Sequence, residues 1–188
     1  RQFATEDFSV SEPVISRFKM ESEKASLRAV TNLTAINLKS NQKREQRMVR
    51  NFGFVSEDGK WKVWRSAPAE EDLAEALVKA RKEAERTELL AAEKELVTAE
   101  LVQALNSQGD RFTDRAEYAR AVMIFALANR IAERIGDLNE IASTLHNLGH
   151  VNRMQGNFAQ ALEYFRKALA INEALGKQDR IARTHLGL

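Results

Sequence analysis

The sequence has 188 residues, of which 44% are hydrophobic and 30% charged, a composition typical of a soluble globular protein. Its 29 Lys and Arg residues against 27 Asp and Glu leave a net charge of +2, too small to indicate a nucleic-acid-binding surface. The absence of cysteine excludes disulfides and thiol nucleophiles, and no apolar run approaches the roughly 18 residues of a membrane span. We expect no nucleic-acid or membrane partner, and the compartment, cytoplasmic or periplasmic, stays open.

The first 66 residues show the alternation of extended strands. Val14, Phe18 and Met20 lie at even spacing, which predicts one shared face. Two longer segments, Ser26 to Leu38 and Glu45 to Ser56, also place apolar residues at alternate positions. The polar residues between these segments favour a turn.

A hairpin is predicted at the end of this region. The pair Asp58-Gly59 is a strong hairpin signal because Gly tolerates positive φ, and Trp61 to Arg65 is the returning strand. Residues 1–66 are therefore predicted to form a four-stranded antiparallel meander. Trp61 and Trp64 are predicted to lie on opposite faces of their strand.

The tract from Phe54 to Trp64 resembles the last hairpin of nuclear-transport-factor-2-like (NTF2-like, SnoaL-type) domains. This resemblance implies a cone-shaped α+β fold whose curved sheet often lines a pocket, although the helices that normally precede the sheet are not in this chain. It leaves a small-ligand-binding or isomerase-like role as an alternative function. We favour plain packing for the two tryptophans, because large aromatic residues in strands mostly serve the core.

Residues 67–97 are predicted to be a helical connector. Pro68 suits the first turn of a helix that runs to about Ala80, and a second helix carries Leu89, Leu90 and Leu96. The charged stretch from Lys79 to Glu88 is interpreted as a solvated face. Thr98 is the predicted N-cap of a third helix that begins near Ala99.

The C-terminal half repeats itself at a spacing of 40 residues, which indicates stacked supersecondary units. The matching pairs are Leu105 and Leu145, Gly109 and Gly149, Tyr118 and Phe158, Ala121 and Ala161, Phe125 and Phe165, Ala128 and Ala168, Ile131 and Ile171, and Gly136 and Gly176. Gly149 and Ala161 are small, which predicts that the two helices of one hairpin approach closely. Gly156-Asn157 is the predicted break between them.

These residues resemble the tetratricopeptide repeat. The motif consists of Leu145-x-x-Leu148-Gly149, then Gly156-Asn157-Phe158-Ala159-Gln160-Ala161, then Phe165-x-x-Ala168-Leu169. The 40-residue spacing is similar to the kinesin-light-chain subgroup, and comparable arrays occur in bacterial proteins that end in a caspase-like CHAT domain. The expected architecture is α+β, with repeats at 98–138 and 139–178 and a partial repeat at 179–188.

Three positions depart from the family pattern. Ala116 stands where the second repeat has Gly156, which predicts a different hairpin turn in the first repeat. Asn152 replaces the usual aromatic residue, so looser packing is expected in the second repeat. The tract from His185 to Leu188 fits the 40-residue frame poorly, which leaves the register of the third repeat open.

The resemblance implies a concave groove, lined by the first helix of each hairpin, that binds a protein or peptide partner. By position, the groove residues are Gln103, Asn106, Asp110 and Thr113 in the first repeat, Ser143, His146, Asn147, His150 and Arg153 in the second, and Arg183 in the third. Asn147 is the strongest candidate because a carboxamide both donates and accepts hydrogen bonds. Binding of chaperone C-terminal tails is not expected, because the first repeat lacks the basic residues of a carboxylate clamp.

No catalytic constellation is evident, so we expect a scaffold rather than an enzyme and no cofactor. His146 and His150 have the spacing of two metal ligands, but Asn147 occupies the place of the general-base Glu of a zinc protease, and we expect no metal site. Arg1 in place of Met and a stop at Leu188 within a helical pattern suggest that residues precede and follow this chain. A purely structural role, including homo-oligomerisation through the open repeat end, is a further alternative.

Overall fold

The computed structural model describes residues 6–37 and 40–185. Its contacts divide the chain into two compact units, Arg1–Asp72 and Leu73–Leu188. The strands are β1 (Glu6–Val10), β2 (Val14–Glu21), β3 (Lys24–Asn37), β4 (Lys43–Glu57) and β5 (Lys60–Pro68). The helices are α1 (Ala69–Lys79), α2 (Glu83–Ala92), α3 (Ala99–Asp114), α4 (Tyr118–Ile135), α5 (Leu138–Met154), α6 (Phe158–Ala174) and α7 (Gln178–His185), with a 3₁₀ turn at Lys94–Leu96.

The first unit is an antiparallel sheet in which β2, β3, β4 and β5 follow one another as a meander. A fifth strand, β1, was not predicted, and it pairs with the second half of β3. β3 has 14 residues and is long enough to pair with both strands: its first half pairs with β2 and its second half with β1. The predicted α+β architecture is confirmed, with five strands in the sheet rather than four.

A β-bulge corrects one predicted face of the sheet. Val14 pairs with Val30 and Phe18 pairs with Leu27, and the register shifts between Ile15 and Arg17. Because residues paired across an antiparallel ladder share a face, this extra residue places Val14 on the side opposite to Phe18 and Met20. Even spacing in the sequence could not reveal this shift, since a bulge changes the parity of every residue before it.

The charged stretch after α1 is not simply a solvated face, because Arg86 is buried. Its guanidinium donates through Nε to the Leu77 carbonyl at 3.2 Å and through Nη2 to the Ala80 carbonyl at 2.8 Å. Its Nη1 also pairs with Glu83 at 3.2 Å. Arg86 therefore satisfies carbonyls at the end of α1, which the helix leaves without intrahelical partners.

The N-cap residues of α3 and α5 differ, because only the second of them caps its helix with its side chain. α3 begins after Thr98 as predicted, but the buried Thr98 hydroxyl finds no partner among the described residues. Asp137 caps α5 fully, since its carboxylate accepts from the Asn139 amide at 2.9 Å and the Glu140 amide at 3.1 Å. An N-cap of this kind typically contributes about 1 kcal/mol.

The two helices of each hairpin touch at a glycine. A Cβ built on Gly149 would lie 2.7 Å from Cε1 of Phe165, and a Cβ on Gly109 would collide in the same way with Phe125. Both rings are almost completely buried. The pairing of Gly and Phe at the 40-residue spacing therefore sets how closely α3 approaches α4 and α5 approaches α6.

The turns inside the two hairpins have the same backbone conformation. Ala116 has φ of +59° and Gly156 has φ of +79°, so both residues are left-handed. The prediction of a different turn in the first repeat is therefore wrong, and Ala116 accepts a conformation that costs a residue with a Cβ roughly 1 kcal/mol.

Asn152 changes the packing of the second repeat. Phe112, at the same position in the first repeat, is buried beneath the Arg120 guanidinium, 4.1 Å from the ring centroid. Asn152 is also buried, but it turns its amide to the Leu148 carbonyl at 2.8 Å. Phe158 is left 69% exposed beside it, which is the loosened packing expected from the sequence.

The third repeat keeps the 40-residue frame as far as it is described. Thr184 is buried and its hydroxyl donates to the Arg180 carbonyl at 2.8 Å. Thr144, 40 residues earlier, is likewise buried and donates to the Glu140 carbonyl at 3.0 Å. Residues 186–188 of the poorly fitting tract lie outside the described residues.

Substituting Gly149→Ala is expected to destabilise the protein by about 1–3 kcal/mol, because the new methyl group overlaps the Phe165 ring. In an open helix the same change would stabilise by up to about 1 kcal/mol, so the sign of the effect is informative. Urea unfolding followed by far-UV circular dichroism measures it. Adding Phe165→Leu should cost less in the Gly149→Ala variant than in the wild type, and simple additivity of the two changes would contradict this packing.

Substituting Ala116→Gly is expected to stabilise the protein by up to about 1 kcal/mol, since glycine adopts positive φ without a Cβ clash. The reciprocal change Gly156→Ala, at the matching turn, should destabilise by a similar amount. Both are measured in the same unfolding experiment. Equal and opposite shifts support a shared turn, whereas destabilisation by both changes would contradict it.

Candidate functional site

The first helices of successive hairpins, α3, α5 and α7, are linked side by side, and their common surface is called the first-helix face below. Gln103 of α3 donates to the Glu140 carboxylate of α5 at 2.7 Å. Arg180 of α7 donates to the Asn139 carbonyl of α5 at 2.9 Å. The Thr184 hydroxyl of α7 lies 3.5 Å from Nδ1 of His146 on α5. The candidate residues named from the sequence lie on these three helices.

Asn106 on α3 is the most unusual of these candidates. Its side chain is only 7% exposed, and its Oδ1 has no hydrogen-bond partner among the described residues. A buried carbonyl oxygen left unpaired costs roughly 1–3 kcal/mol. The protein therefore keeps an unsatisfied acceptor at a position that the sequence assigned to the partner-binding surface.

Asp110 lies one turn further along α3 and is held in an unusual electrostatic setting. Desolvation raises the pKa of this carboxyl above its ordinary value, and the neighbouring charge of Asp114 raises it further. His150 and Arg183 act in the opposite direction. Asp110 therefore interacts electrostatically with His150 of α5 and Arg183 of α7. Candidate residues from all three repeats are thus close enough to influence one another.

His146 is half-buried between α5, α6 and α7. Its ring lies 5.3 Å from the Phe165 ring, centroid to centroid, at a tilt of 59°. Desolvation, followed by the neighbouring positive charges of Arg183, His150 and Arg153 in that order, lowers its pKa to about 4. His146 is therefore a neutral packing residue at pH 7, which makes it a weaker candidate for contact with a partner.

The remaining α5 and α7 candidates are accessible. Ser143, Asn147 and His150 are half-buried, while Arg153 and Arg183 are exposed. Within the described part of the chain, neither arginine lies within 4 Å of a carboxylate. The first-helix face therefore carries an acidic residue on α3, and on α5 and α7 it carries arginines without a close ion pair. Gln103 differs from this group because its amide is already engaged by Glu140.

The residues that sequence reasoning missed are those that join the helices. Glu140 is buried and holds Gln103, and Thr184 repeats Thr144 one period later. The match of Thr144 with Thr184 was visible at the 40-residue spacing. The role of Glu140 was not visible, because a sequence does not show whether a carboxylate accepts a hydrogen bond from another helix or is exposed to solvent.

The sheet unit carries a cleft of about 610 Å³ that bears on the ligand-binding alternative. Along it, Arg28 Nε donates to Asn51 Oδ1 at 2.9 Å, and Asn51 Nδ2 donates to Asp72 Oδ2 at 2.7 Å. Arg65 also pairs with Asp72. The Trp64 indole lies over Gly53, where a Cβ would be 2.6 Å from its Nε1. The cleft is thus lined both by this hydrogen-bonded network and by the apolar side chains of Phe18, Leu27, Phe52 and Trp64.

Metal clusters and membrane-spanning helices are both absent from the described residues. No group of three or more His, Cys, Asp or Glu side chains is arranged to hold a metal ion within ranges 6–37 and 40–185. In the same ranges, no helix has the length and apolar character needed to cross a membrane.

The low pKa of His146 predicts a pH-dependent stability. The unfolded chain takes up a proton as the pH falls through about 6.5, whereas the folded imidazole does so only near pH 4. Stability from this residue is therefore complete above pH 6.5 and is lost between 6.5 and 4, by roughly 1–2 kcal/mol at pH 5. Urea unfolding at pH 7 and pH 5 should show a smaller difference for His146→Phe than for the wild type. An NMR titration in which His146 protonates near pH 6.5 would contradict the prediction.

No curated protein matches this sequence. Among solved structures, the N-terminal domain of stress-induced protein-1 from C. elegans aligns with a TM-score of 0.42 at 16% identity, covering 63% of this chain and 91% of that one. Aspartyl phosphate phosphatase F from Bacillus subtilis aligns with a TM-score of 0.40 at 20% identity, covering 62% of this chain and 37% of that one. Likenesses this remote carry no conclusion about function.

The family comparison is more specific. The family model described as tetratricopeptide repeat matches residues 100–174. This range covers both complete hairpins, from α3 to the end of α6, and contains the Gly149–Phe165 contact that closes the second one. Residues 100–174 of the chain therefore carry tetratricopeptide repeats.

Proposed function

We propose that this protein is a non-catalytic scaffold whose first-helix face holds a segment of a partner protein. The observation that carries the proposal is the Asn147 carboxamide on α5, which is half-buried and whose side chain makes no hydrogen bond within the described part of the chain. Asn106 on the adjacent helix α3 also has an unpaired oxygen, but that oxygen is buried. An extended peptide presents alternating N–H and C=O groups, and the Asn147 carboxamide can accept from the first and donate to the second.

The charges on this face favour one orientation of the partner. Arg153 and Arg183 form the positive side on α5 and α7, and Asp110 forms the negative side on α3. A partner segment with a carboxylate near α7 and a basic or neutral group near α3 complements this distribution. Because these charges are largely exposed, we expect them to influence the association rate and its salt dependence more than the final affinity.

The likeness to kinesin-light-chain-type repeats belongs to the same proposal. It is supported by the 40-residue spacing, which extends to Thr184, and by the triplet Asn147-Leu148-Gly149. Leu148 and Gly149 are buried and serve the hairpin itself, whereas Asn147 is turned towards accessible space. The two roles of the triplet predict that Asn147→Ala weakens binding without loss of stability.

The double substitution Asn147→Ala and His150→Ala should weaken partner binding by at least about tenfold, since two hydrogen-bonding side chains are removed from the contact. The partner is first identified by capture from cells with the wild-type chain as bait, and its affinity is then measured with purified proteins. The matched control is Arg166→Ala and Lys167→Ala, two exposed residues of α6 on the other helix of the same hairpin.

A specific effect of the α5 substitutions, with the α6 control unchanged, supports the first-helix face as the binding surface. Thermal unfolding of both variants must match that of the wild type, so that lost binding is not lost folding. Equal binding by the wild type and both variants would contradict the proposal that the partner binds the first-helix face. Equal weakening by both variants would show that the binding surface is not confined to this face.

A further inference from the structure

Where β2 lies beside β3, β4 and β5, one side of the sheet is formed mainly by apolar residues, and this part of that side is called the apolar sheet face below. Cross-strand pairing places Phe18, Leu27 and Phe52 in one row and Met20, Ala25, Phe54 and Val63 in the next. Ile15 joins this side opposite Ala29, and Trp61 joins it opposite Ser56. Since paired residues share a face, these side chains form one continuous surface across β2 to β5.

The outer part of this surface is open to solvent. Ile15 is 62% exposed, Phe18 64%, Met20 61%, Val63 57% and Trp61 46%. Single exposed apolar residues are ordinary on protein surfaces, whereas a contiguous patch of this kind marks an interaction site. The half-buried side chains of Leu27, Phe52 and Phe54 lie between the exposed ones and make the patch continuous.

The reverse side of the same strands carries most of their charged side chains, although Val14, Val49 and Trp64 also lie there. Arg17 pairs with Arg28 and Arg28 pairs with Asn51 in one row, and Lys19 pairs with Ser26 in the next. Alternation of this kind is the signature of a sheet with one face in water and one face covered. The apolar sheet face therefore has the composition of a buried surface.

We propose that the apolar sheet face is covered by the same face of a second copy of this chain. The exposed fractions of the five outer side chains amount to almost three complete side chains, or at most roughly 450–700 Å² in each copy if all five are given the roughly 150–250 Å² of an aromatic side chain. Two copies would then bury at most roughly 900–1,400 Å², and the lower bound for a stable protein–protein interface, about 1,200 Å², lies within this range.

The chemistry of the patch supports a second copy. Its centre carries no charge, so a partner must present a comparably uncharged apolar surface, and a second copy presents one of equal size. Arg50 shares this side but stands at its margin, where its guanidinium donates to the Ser66 hydroxyl at 3.0 Å. An apolar centre with a polar margin is the usual arrangement of an interface, and two sheet faces pack readily on each other. The proposal is independent of the function proposed for the first-helix face.

The first test compares Phe18→Ser with Lys19→Ser in the full chain. Phe18 and Lys19 are neighbours on β2, and their side chains point to opposite faces of the sheet. Both variants introduce serine into the same strand, so they differ chiefly in which face of the sheet is changed. Sedimentation equilibrium should show a dimer for the wild type and for Lys19→Ser. Phe18→Ser should raise the dissociation constant roughly a hundredfold, because a twofold interface loses the phenyl ring in both copies.

A second readout uses Trp61, which lies on the apolar sheet face, after Trp64 on the other side is replaced by Phe. The emission of Trp61 should shift to shorter wavelength as the protein concentration rises, and the shift should be absent when Phe18→Ser is added. Far-UV circular dichroism verifies that each variant keeps its sheet.

Dimerisation that is lost with Phe18→Ser and kept with Lys19→Ser supports the proposal. A wild-type chain that remains monomeric at about 100 μM, well above typical specific affinities, would overturn it. A dimer that resists Phe18→Ser would also overturn it, because the contact would then be made by a sheet edge or by the open end of the repeat helices.

Discussion

The helical half of this protein depends on two phenyl rings that occupy the space where two glycines lack a side chain. Phe125 lies against Gly109 and Phe165 lies against Gly149, and each contact joins the two helices of one hairpin. Because the rings are buried and the glycines have no Cβ, α3 and α5 approach their partners more closely than any other residue would permit. Both helices of each hairpin bury apolar residues in the core, and the remaining side of the first helix is polar.

The first-helix face consists of the residues that lie between the core residues of each first helix. The inner sides of α3 and α5 are committed to the core through Leu105, Leu145 and Leu148, while Asn106, Asp110 and Asn147 occupy intervening positions. The links between neighbouring hairpins are polar, as in the bond between Gln103 and Glu140. The side-chain oxygen of Asn106 has no hydrogen-bond partner among the described residues. This unpaired oxygen lowers the stability of the fold rather than contributing to it.

The sheet half follows a different rule, because its two faces differ in chemistry and not in packing. Most large apolar side chains occupy one side and most cationic ones the other. The shift after Ile15 brings that residue into line with Phe18 and leaves Val14 on the cationic side, and the shift beside Gly53 places Trp64 on the cationic side as well. Bulges thus change the face that a side chain would take in a strict period of two.

The sequence by itself determined the helical hairpins, their 40-residue spacing and the order of sheet and helices, because these depend on local periodicity and on glycines at fixed positions. It also located the candidate binding residues on the first helices of the hairpins. Tertiary structure alone decided that Arg86 is buried, that Asn106 lacks a partner among the described residues, that His146 is a packing residue and that Val14 faces away from Phe18. Each of these depends on which atoms of distant segments meet, and neither composition nor periodicity records such contacts.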